Sequence, residues 1–356
     1  MSSITPDRTR AARLRYQRLT SAPLRTANDV VAWFGAMQSQ EYAIARWSIG
    51  LRARNLRDTD VERAYARGDV LRTHVLRPTW HFVAPADIRW MSELTAPRIQ
   101  AQMAGRHRQL ELSGKLIAKA AATIGKALEN GTHLTRTEIQ ALLESNRIDL
   151  KNERLGHVMM LLELDALVCS GAPKGRQHTY ALLDERAPHA ASMGRDDALA
   201  ELARRFFQSH GPASEKDLAR WATLTLTDVR RSIELLGDDI QRTEVDGAKW
   251  YSIGAPPRRS PNAPRALLLQ VYDEYVGGYG DTRSVIDPHG LTHMSPAVRL
   301  PFMHVVVLDG YVVGHWRPAK KKGDSPVDLK LARRLDAEAC EAVEVAVERF
   351  RSFTEN

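Results

Sequence analysis

Helical stretches and short β-branched or aromatic runs alternate along this chain, without the succession of apolar strands that a parallel sheet requires. Residues 10–19, 27–38 and 59–67 read as helices. Leu71-Arg-Thr-His-Val-Leu-Arg77 and Pro78-Thr-Trp-His-Phe-Val83 read as a hairpin broken at Arg77-Pro78, and a helix resumes over 86–94. The order then recurs. Residues 115–129 form a helix ended by Gly131, and Thr135-Arg-Thr-Glu138 is a capping box that opens a helix to Ser145. Residues 152–164 are helical, with Leu155, Val158, Met159 and Leu162 on the apolar face, and a ribbon over 166–170 and 178–183 follows. A third pass places helices at 198–209, from Ser214 to Trp221 and at 227–236. It ends in a ribbon over 241–245 and 249–253 around the turn Asp246-Gly247.

Helix, helix, ribbon is the order of a winged helix-turn-helix. The repeat is one of pattern rather than of letters, and it points to tandem duplication. A proline-rich linker, Pro256 to Pro264, precedes a last block with an apolar run at 266–271. That block continues with a hairpin around Asp309-Gly310 and a closing helix over 331–353. The expected class is α+β, mainly α: tandem winged helix-turn-helix units with a C-terminal α/β block, C-shaped around duplex DNA. The expected divisions are 1–110, a divergent first unit, then 111–190, 191–255 and 264–356.

The 356 residues carry a formal net charge of +8, most of it from arginine, which favours a polyanionic partner. Cys169 and Cys340 lie outside any CxxC pattern, so neither a disulfide framework nor a structural zinc site is expected, and a reducing, cytoplasmic setting fits. No apolar leader opens the sequence and no run of about 18 apolar residues occurs. HExxH, GxSxG and the P-loop pattern are missing, and the histidines do not cluster at ligand spacing, so neither metal nor cofactor is expected.

Together the units and the charge point to double-stranded DNA. A winged helix presents one helix to the major groove and its wing to the backbone. Lys174 and Arg176 on the second wing, and Arg230 and Arg231 on the third unit, suit phosphate contact. Three units in one chain fit a monomer that wraps a duplex.

Four stretches resemble one family: Met37-Gln-Ser-Gln-Glu-Tyr42, Leu71 to Ala84 with its core Leu76-Arg-Pro-Thr-Trp-His-Phe82, Asp273-Glu-Tyr275, and Val306 to Trp316. The family is the bacterial winged-helix DNA glycosylases of the AlkZ and YcaQ type, and the resemblance spans about residues 10 to 350. It implies removal of N7-alkylated purines, including bulky adducts and, in some members, interstrand crosslinks, without metal or cofactor. The family's catalytic motif is Gln-Φ-Gln in one branch and Gln-Φ-Asp in the other. Gln38 and Gln40 match the first form, with Ser39 where an aliphatic residue is usual.

The chemistry suits glutamine. An N7-alkylated guanine is already cationic and leaves without protonation, so the protein must place water and stabilise an oxocarbenium-like sugar. A glutamine carbonyl can do both. On a regular helix the two side chains would point about 200° apart. They converge only at a helix end or irregular turn, or if one lines the sugar and the other supports it. The expectation is that Gln40 positions the water and Gln38 contacts the strand or lesion. The alternative is that both are solvated helix residues.

In the same block, Trp80 is a candidate for stacking or wedging, or else a hairpin core residue. His74, Arg77 and His81 are candidate DNA contacts. Glu41 could act as a base, but a surface charge or an ion pair with Arg46 is favoured. For Asp273, Glu274 and Tyr275 a structural role is favoured. Gly277-Gly278-Tyr279-Gly280 reads as a flexible loop, and Lys320-Lys-Lys322 as a solvated run. The rival function is a non-catalytic DNA-binding regulator.

Overall fold

The computed structural model describes residues 5–245, 247–292, 304–319 and 325–355. Lys320-Lys-Lys322 and Asp246 of the third ribbon's turn lie outside them.

The chain opens with α1 (Pro6–Tyr16), capped by Thr5. Next comes α2 (Ala27–Phe34), which starts at a reciprocal capping box between Thr26 and Asp29. It does not run on to Gln38. Gly35 sits at φ +81°, a conformation that costs glycine little, and ends the helix there. The chain turns into β1 (Ala36–Gln38), then α3 (Tyr42–Gly50), α4 (Asp58–Arg67), β2 (Leu71–His74) and β3 (Trp80–Val83). A long α5 (Ile88–Gln109) extends past Leu94, where the sequence placed its end, and carries Pro97 within it.

The second unit comprises α6 (Gly114–Leu128), β4 (Leu134–Thr135), α7 (Arg136–Ser145), α8 (Glu153–Leu164), β5 (Val168–Ser170), β6 (Thr179–Leu182) and the short α9 (Leu183–Arg186). The third comprises α10 (Arg195–His210), α11 (Glu215–Ala222), α12 (Leu226–Leu236), β7 (Ile240–Val245) and β8 (Ala248–Ile253). The last block comprises β9 (Ala266–Leu269), α13 (Glu274–Gly277), β10 (His304–Leu308), β11 (Tyr311–Pro318), β12 (Val327–Leu331) and α14 (Ala337–Thr354). The closing helix therefore begins at Ala337, with Asp336 accepting from the Ala339 amide, and not at Leu331, which ends an edge strand.

Strand pairing exposes a regularity. The first sheet has the order β1-β3-β2 and the second β4-β6-β5. In the third unit Ala213 forms an antiparallel bridge to Tyr251 of β8, which pairs with β7. Each unit thus runs helix, short strand, helix, helix, hairpin, with the short strand pairing with the hairpin's second arm. The last block is a four-stranded antiparallel sheet, β12-β11-β10-β9.

Apolar packing divides differently from the units. One large core joins the first unit, the third unit and the last block, while the second unit has its own core around Ile124, Ile139, Leu143 and Val158. A small cluster of Ala96, Ile99, Met160 and Leu164 links α5 to α8. In the large core, Trp47 donates to the Leu268 carbonyl at 2.7 Å and packs edge-on against Phe350 of α14.

Within that core lies a buried ion pair. Arg52 clamps Asp273 through contacts of 2.7 and 2.8 Å, both side chains are fully buried, and Ser48 Oγ donates to the same carboxylate at 2.6 Å. Burial alone would raise the Asp273 carboxyl, but the Arg52 charge and hydrogen bonds hold it below the usual carboxylate range. The structural role favoured for Asp273 agrees with this geometry.

Removing one partner strands the other charge. Asp273→Ala is expected to lose about 3–5 kcal/mol in urea unfolding, and the double change Arg52→Met with Asp273→Leu considerably less. A single change as mild as the double would contradict the pairing. Because the folded pKa is depressed, the pair's contribution is complete above about pH 4 and is lost as pH falls through the lower folded value.

Candidate active site

Gln38 ends β1, opposite His81 of β3, and the ladder continues one step further, since the Ser39 amide donates to the Trp80 carbonyl at 2.8 Å. The segment is therefore extended as far as Ser39, and Gln40 follows in a bend. The 200° divergence that a helix would impose does not arise.

The two glutamines have different surroundings. Gln38 is half-buried and held. Arg77 Nη2 donates to its side-chain oxygen at 2.9 Å, and its amide N–H donates to Glu274 Oε1 at 2.9 Å. Arginine only donates, so the atom facing Arg77 is the Gln38 carbonyl oxygen, and its NH2 has no partner among the described residues. Gln40 is exposed and lines a cavity of about 500 Å³ between the first and second units. That cavity carries three arginines, Arg72, Arg136 and Arg176, against one carboxylate, Glu163.

Arg77 is itself oriented. It donates to the Trp221 carbonyl at 3.1 Å and to His81 Nε2 at 3.1 Å. His81 is completely buried and its Nδ1–H meets the Thr79 carbonyl at 2.9 Å, which fixes the tautomer that accepts from Arg77. Burial, then the Arg77 charge, holds the His81 pKa well below its usual value. His81 and Arg77 were expected as DNA contacts. In the structure His81 is fully buried and Arg77, half-buried, holds the Gln38 side chain, while His74 is buried with its Nδ1 on Glu163 and its ring 4.5 Å from that of Trp80.

Glu274 lies behind this array. Its Oε2 accepts from Trp221 Nε1 at 2.8 Å and meets His210 Nε2 at 3.2 Å. Burial would raise its pKa, but His210 and Arg77 outweigh that and lower it. The glycine-rich run that follows is packed, not loose. A Cβ on Gly278 would come within 2.4 Å of the His210 ring, and the Tyr279 hydroxyl donates to the His210 carbonyl at 2.8 Å.

Arg72, which sequence reasoning passed over, donates to the Ser39 carbonyl at 3.0 and 3.2 Å and stacks 4.4 Å from the Trp80 ring centre. Its only sequence signal was a charged residue inside a strand of otherwise buried positions. Trp80 is half-buried and lines the cavity. Of the wing residues, Arg176 also lines it, while Lys174 pairs with Glu138 at 2.8 Å. Arg230 and Arg231 lie on α12, paired with Glu215 and Asp196 at 3.0 and 2.7 Å, and do not line the cavity. Glu41 does not pair with Arg46, which binds Asp58 through two 2.7 Å hydrogen bonds. Burial raises the Glu41 pKa.

Comparison of the units sharpens the picture. The joint between short strand and second helix is closed in the second unit by the Thr135–Glu138 capping box and in the third by Ser214–Asp217. In the first unit the same joint is Gln38-Ser39-Gln40-Glu41, and Glu41 makes no side-chain cap.

A family model described as "DNA glycosylase AlkZ-like" matches residues 31–353. The chain belongs to the AlkZ-like DNA glycosylase family. It is 25% identical over 322 residues to an interstrand DNA cross-link repair glycosylase of Streptomyces sahachiroi, covering 86% of each chain. The structure of Streptomyces sahachiroi DNA glycosylase AlkZ superposes with a TM-score of 0.81 at 23% identity, over 99% of this chain and 98% of that one. The chain is thus an enzyme acting on N-glycosyl bonds of DNA, and the regulator alternative is set aside. No helix among the described residues is long and apolar enough to cross a membrane.

If Arg77 fixes Gln38, Arg77→Met should lower single-turnover base release about tenfold or more, because small misplacements at a reacting centre are costly. The cooperative thermal transition should remain. A wild-type rate in the folded variant would remove Arg77 from the account.

Proposed function

We propose that this chain is a monofunctional glycosylase that hydrolyses the N-glycosidic bond of N7-alkylated purines in duplex DNA. Interstrand crosslinks formed through such purines are within its range, in line with the cross-link repair for which its Streptomyces sahachiroi relative is named. The observation that carries the reading is the inequality of the two glutamines: Gln38 with its carbonyl occupied by Arg77, Gln40 exposed on the wall of a basic cavity.

In this reading each helix–strand–helix–helix–hairpin unit is a winged helix-turn-helix, and the three form a C-shaped monomer around the duplex, working in the cytoplasm. Gln40 Oε1 accepts a hydrogen bond from the attacking water, orienting it, and faces the positive charge that grows on the sugar as the base departs. The free NH2 of Gln38 donates to the strand beside the lesion. The alkylated purine leaves as a neutral base, and the water's proton passes to solvent. Ser39 lies between them, fully buried with its carbonyl held by Arg72, so its side chain does not meet the lesion. Lys174, Arg176, Arg230 and Arg231 are outer phosphate contacts, and Trp80 stacks at the lesion.

Base release from a duplex with a single N7-methylguanine, read as abasic-site strand breaks, tests the roles. Gln40→Ala should cost about a hundredfold or more in single-turnover rate, the scale of losing one preorganised transition-state contact. Gln40→Asp should retain substantial activity, since a carboxylate supplies the same electrostatic stabilisation. Wild-type excision by Gln40→Ala would overturn the assignment.

A further inference from the structure

The cavity beside Gln40 has walls that the hydrolytic step does not use. At about 500 Å³ it falls within the range, about 300–1,000 Å³, of small-molecule sites. The first unit contributes Tyr42, Tyr65 and Trp80, and the second contributes His178 and Tyr180. The Tyr42 ring meets Tyr65 at 5.0 Å and His178 at 4.5 Å between centroids, and the Arg72 guanidinium covers Trp80. These are ring-contact distances, so the wall presents ring faces and edges as one surface.

Polarity narrows the ligand class. The buried hydroxyls of Tyr42 and Tyr65 make no hydrogen bond of ordinary geometry among the described residues, and Tyr65 is only 2% exposed. Burial, then Arg72 and Arg46, brings the His178 pKa down to about 4, so its ring is neutral at pH 7. Arginines outnumber carboxylates in the lining, and as pure donors they suit a ring whose edge carries acceptor oxygens and nitrogens. What remains favoured is a flat ring with polar edges, which stacking on aromatics and on a guanidinium plane accepts without regard to sequence.

We propose that this cavity is a stacking subsite for a planar aromatic ring presented by the lesion beside Gln40. The proposal rests on the glycosylase reading above. The ring has two possible sources: the alkylated purine turned out of the duplex, or an aryl group carried on its alkyl substituent. The site is assembled from both units. The Arg72 amide donates to Ser170 Oγ at 2.8 Å and His74 meets Glu163, which fixes the two halves against one another.

The probes are duplexes carrying N7-methylguanine or N7-benzylguanine on a 2′-fluoro sugar, which resists hydrolysis, beside an undamaged duplex. The full-length chain is titrated with each, as are His178→Ala, which removes one wall, and Thr137→Trp. Thr137 is exposed on α7 at the cavity lining, so the larger side chain fills the space without entering a core. Binding of the undamaged duplex reports that the variants are folded. If the substituent occupies the subsite, both variants lose about tenfold in affinity for the benzyl duplex relative to the methyl one. If the purine occupies it, both lesions lose about tenfold relative to undamaged DNA. Lesion affinities unchanged to within about twofold in both variants would overturn the proposal. Because the probes are not hydrolysed, this result stands apart from activity. Failure of the wild-type chain to release N7-methylguanine from an unfluorinated duplex would instead count against the glycosylase reading.

Discussion

The carboxylate of Glu274 holds the centre of the molecule together. It sits on α13 of the last block, accepts the Gln38 amide from the first unit, and takes Trp221 and His210 from the third. An ionised carboxylate at 2% exposure is tolerable only when it is hydrogen-bonded, and the Gln38 amide, Trp221 and His210 are its partners. The constraint runs outward in both directions. It fixes the end of β1, and so the direction in which Gln38 and the following residues leave the sheet. It also requires the third unit and the last block to close on the first, as their common apolar core does. Asp273, one residue earlier, performs the same kind of closure through Arg52. The site is thus built on a rigid joint between units.

The second unit stands apart from that joint, with its own core. It meets the first unit through the apolar cluster between α5 and α8 and through polar contacts, Arg72 to Ser170 and His74 to Glu163, and the Gln40 cavity opens at this seam. A cleft between a rigid body and a separately packed one can vary in shape between relatives without disturbing the groups that hold Gln38. On the proposed reading, chemistry and lesion shape are carried by different parts of the fold.

Much of the architecture was legible in the sequence because the signals were local. Capping boxes at Thr135 and Ser214, and alternation in the ribbons, act within a few residues. What escaped detection depended on distant partners. The strand Ala36–Gln38 is three residues long and exists because β3 pairs with it, so helical pattern carried the expected helix through Gly35. Tyr42–Gly50 was not marked at all, since its helix starts without a side-chain cap. The C-terminal edge strand Val327–Leu331 was not marked, and its last residue was read as the start of the helix after it. At the site, the QxQ pair and the Trp80 block were found through resemblance, whereas the orientation of Arg77, His81 and His74 depends on the Trp221 carbonyl, Thr79 and Glu163. A basic residue in a DNA-binding chain reads as a phosphate contact until its acceptor is known. Arg72 was missed for the same reason.

The repeated unit gives this site a physical origin. In two units the joint between short strand and second helix is closed by a capping box. In the first it is left open, and its glutamines are supported by residues far away in sequence. The central claim, that Gln40 meets the reacting sugar while Gln38 stays on Arg77, is tested most directly by a crystal structure of the protein on a duplex. That duplex would carry a cationic pyrrolidine in place of the lesion sugar. The account predicts Gln40 Oε1 within about 3.2 Å of the pyrrolidine nitrogen or of a water bound to it, with the Arg77–Gln38 hydrogen bond intact. Gln38 released from Arg77 and bound to the sugar cation, with Gln40 turned away, would contradict it.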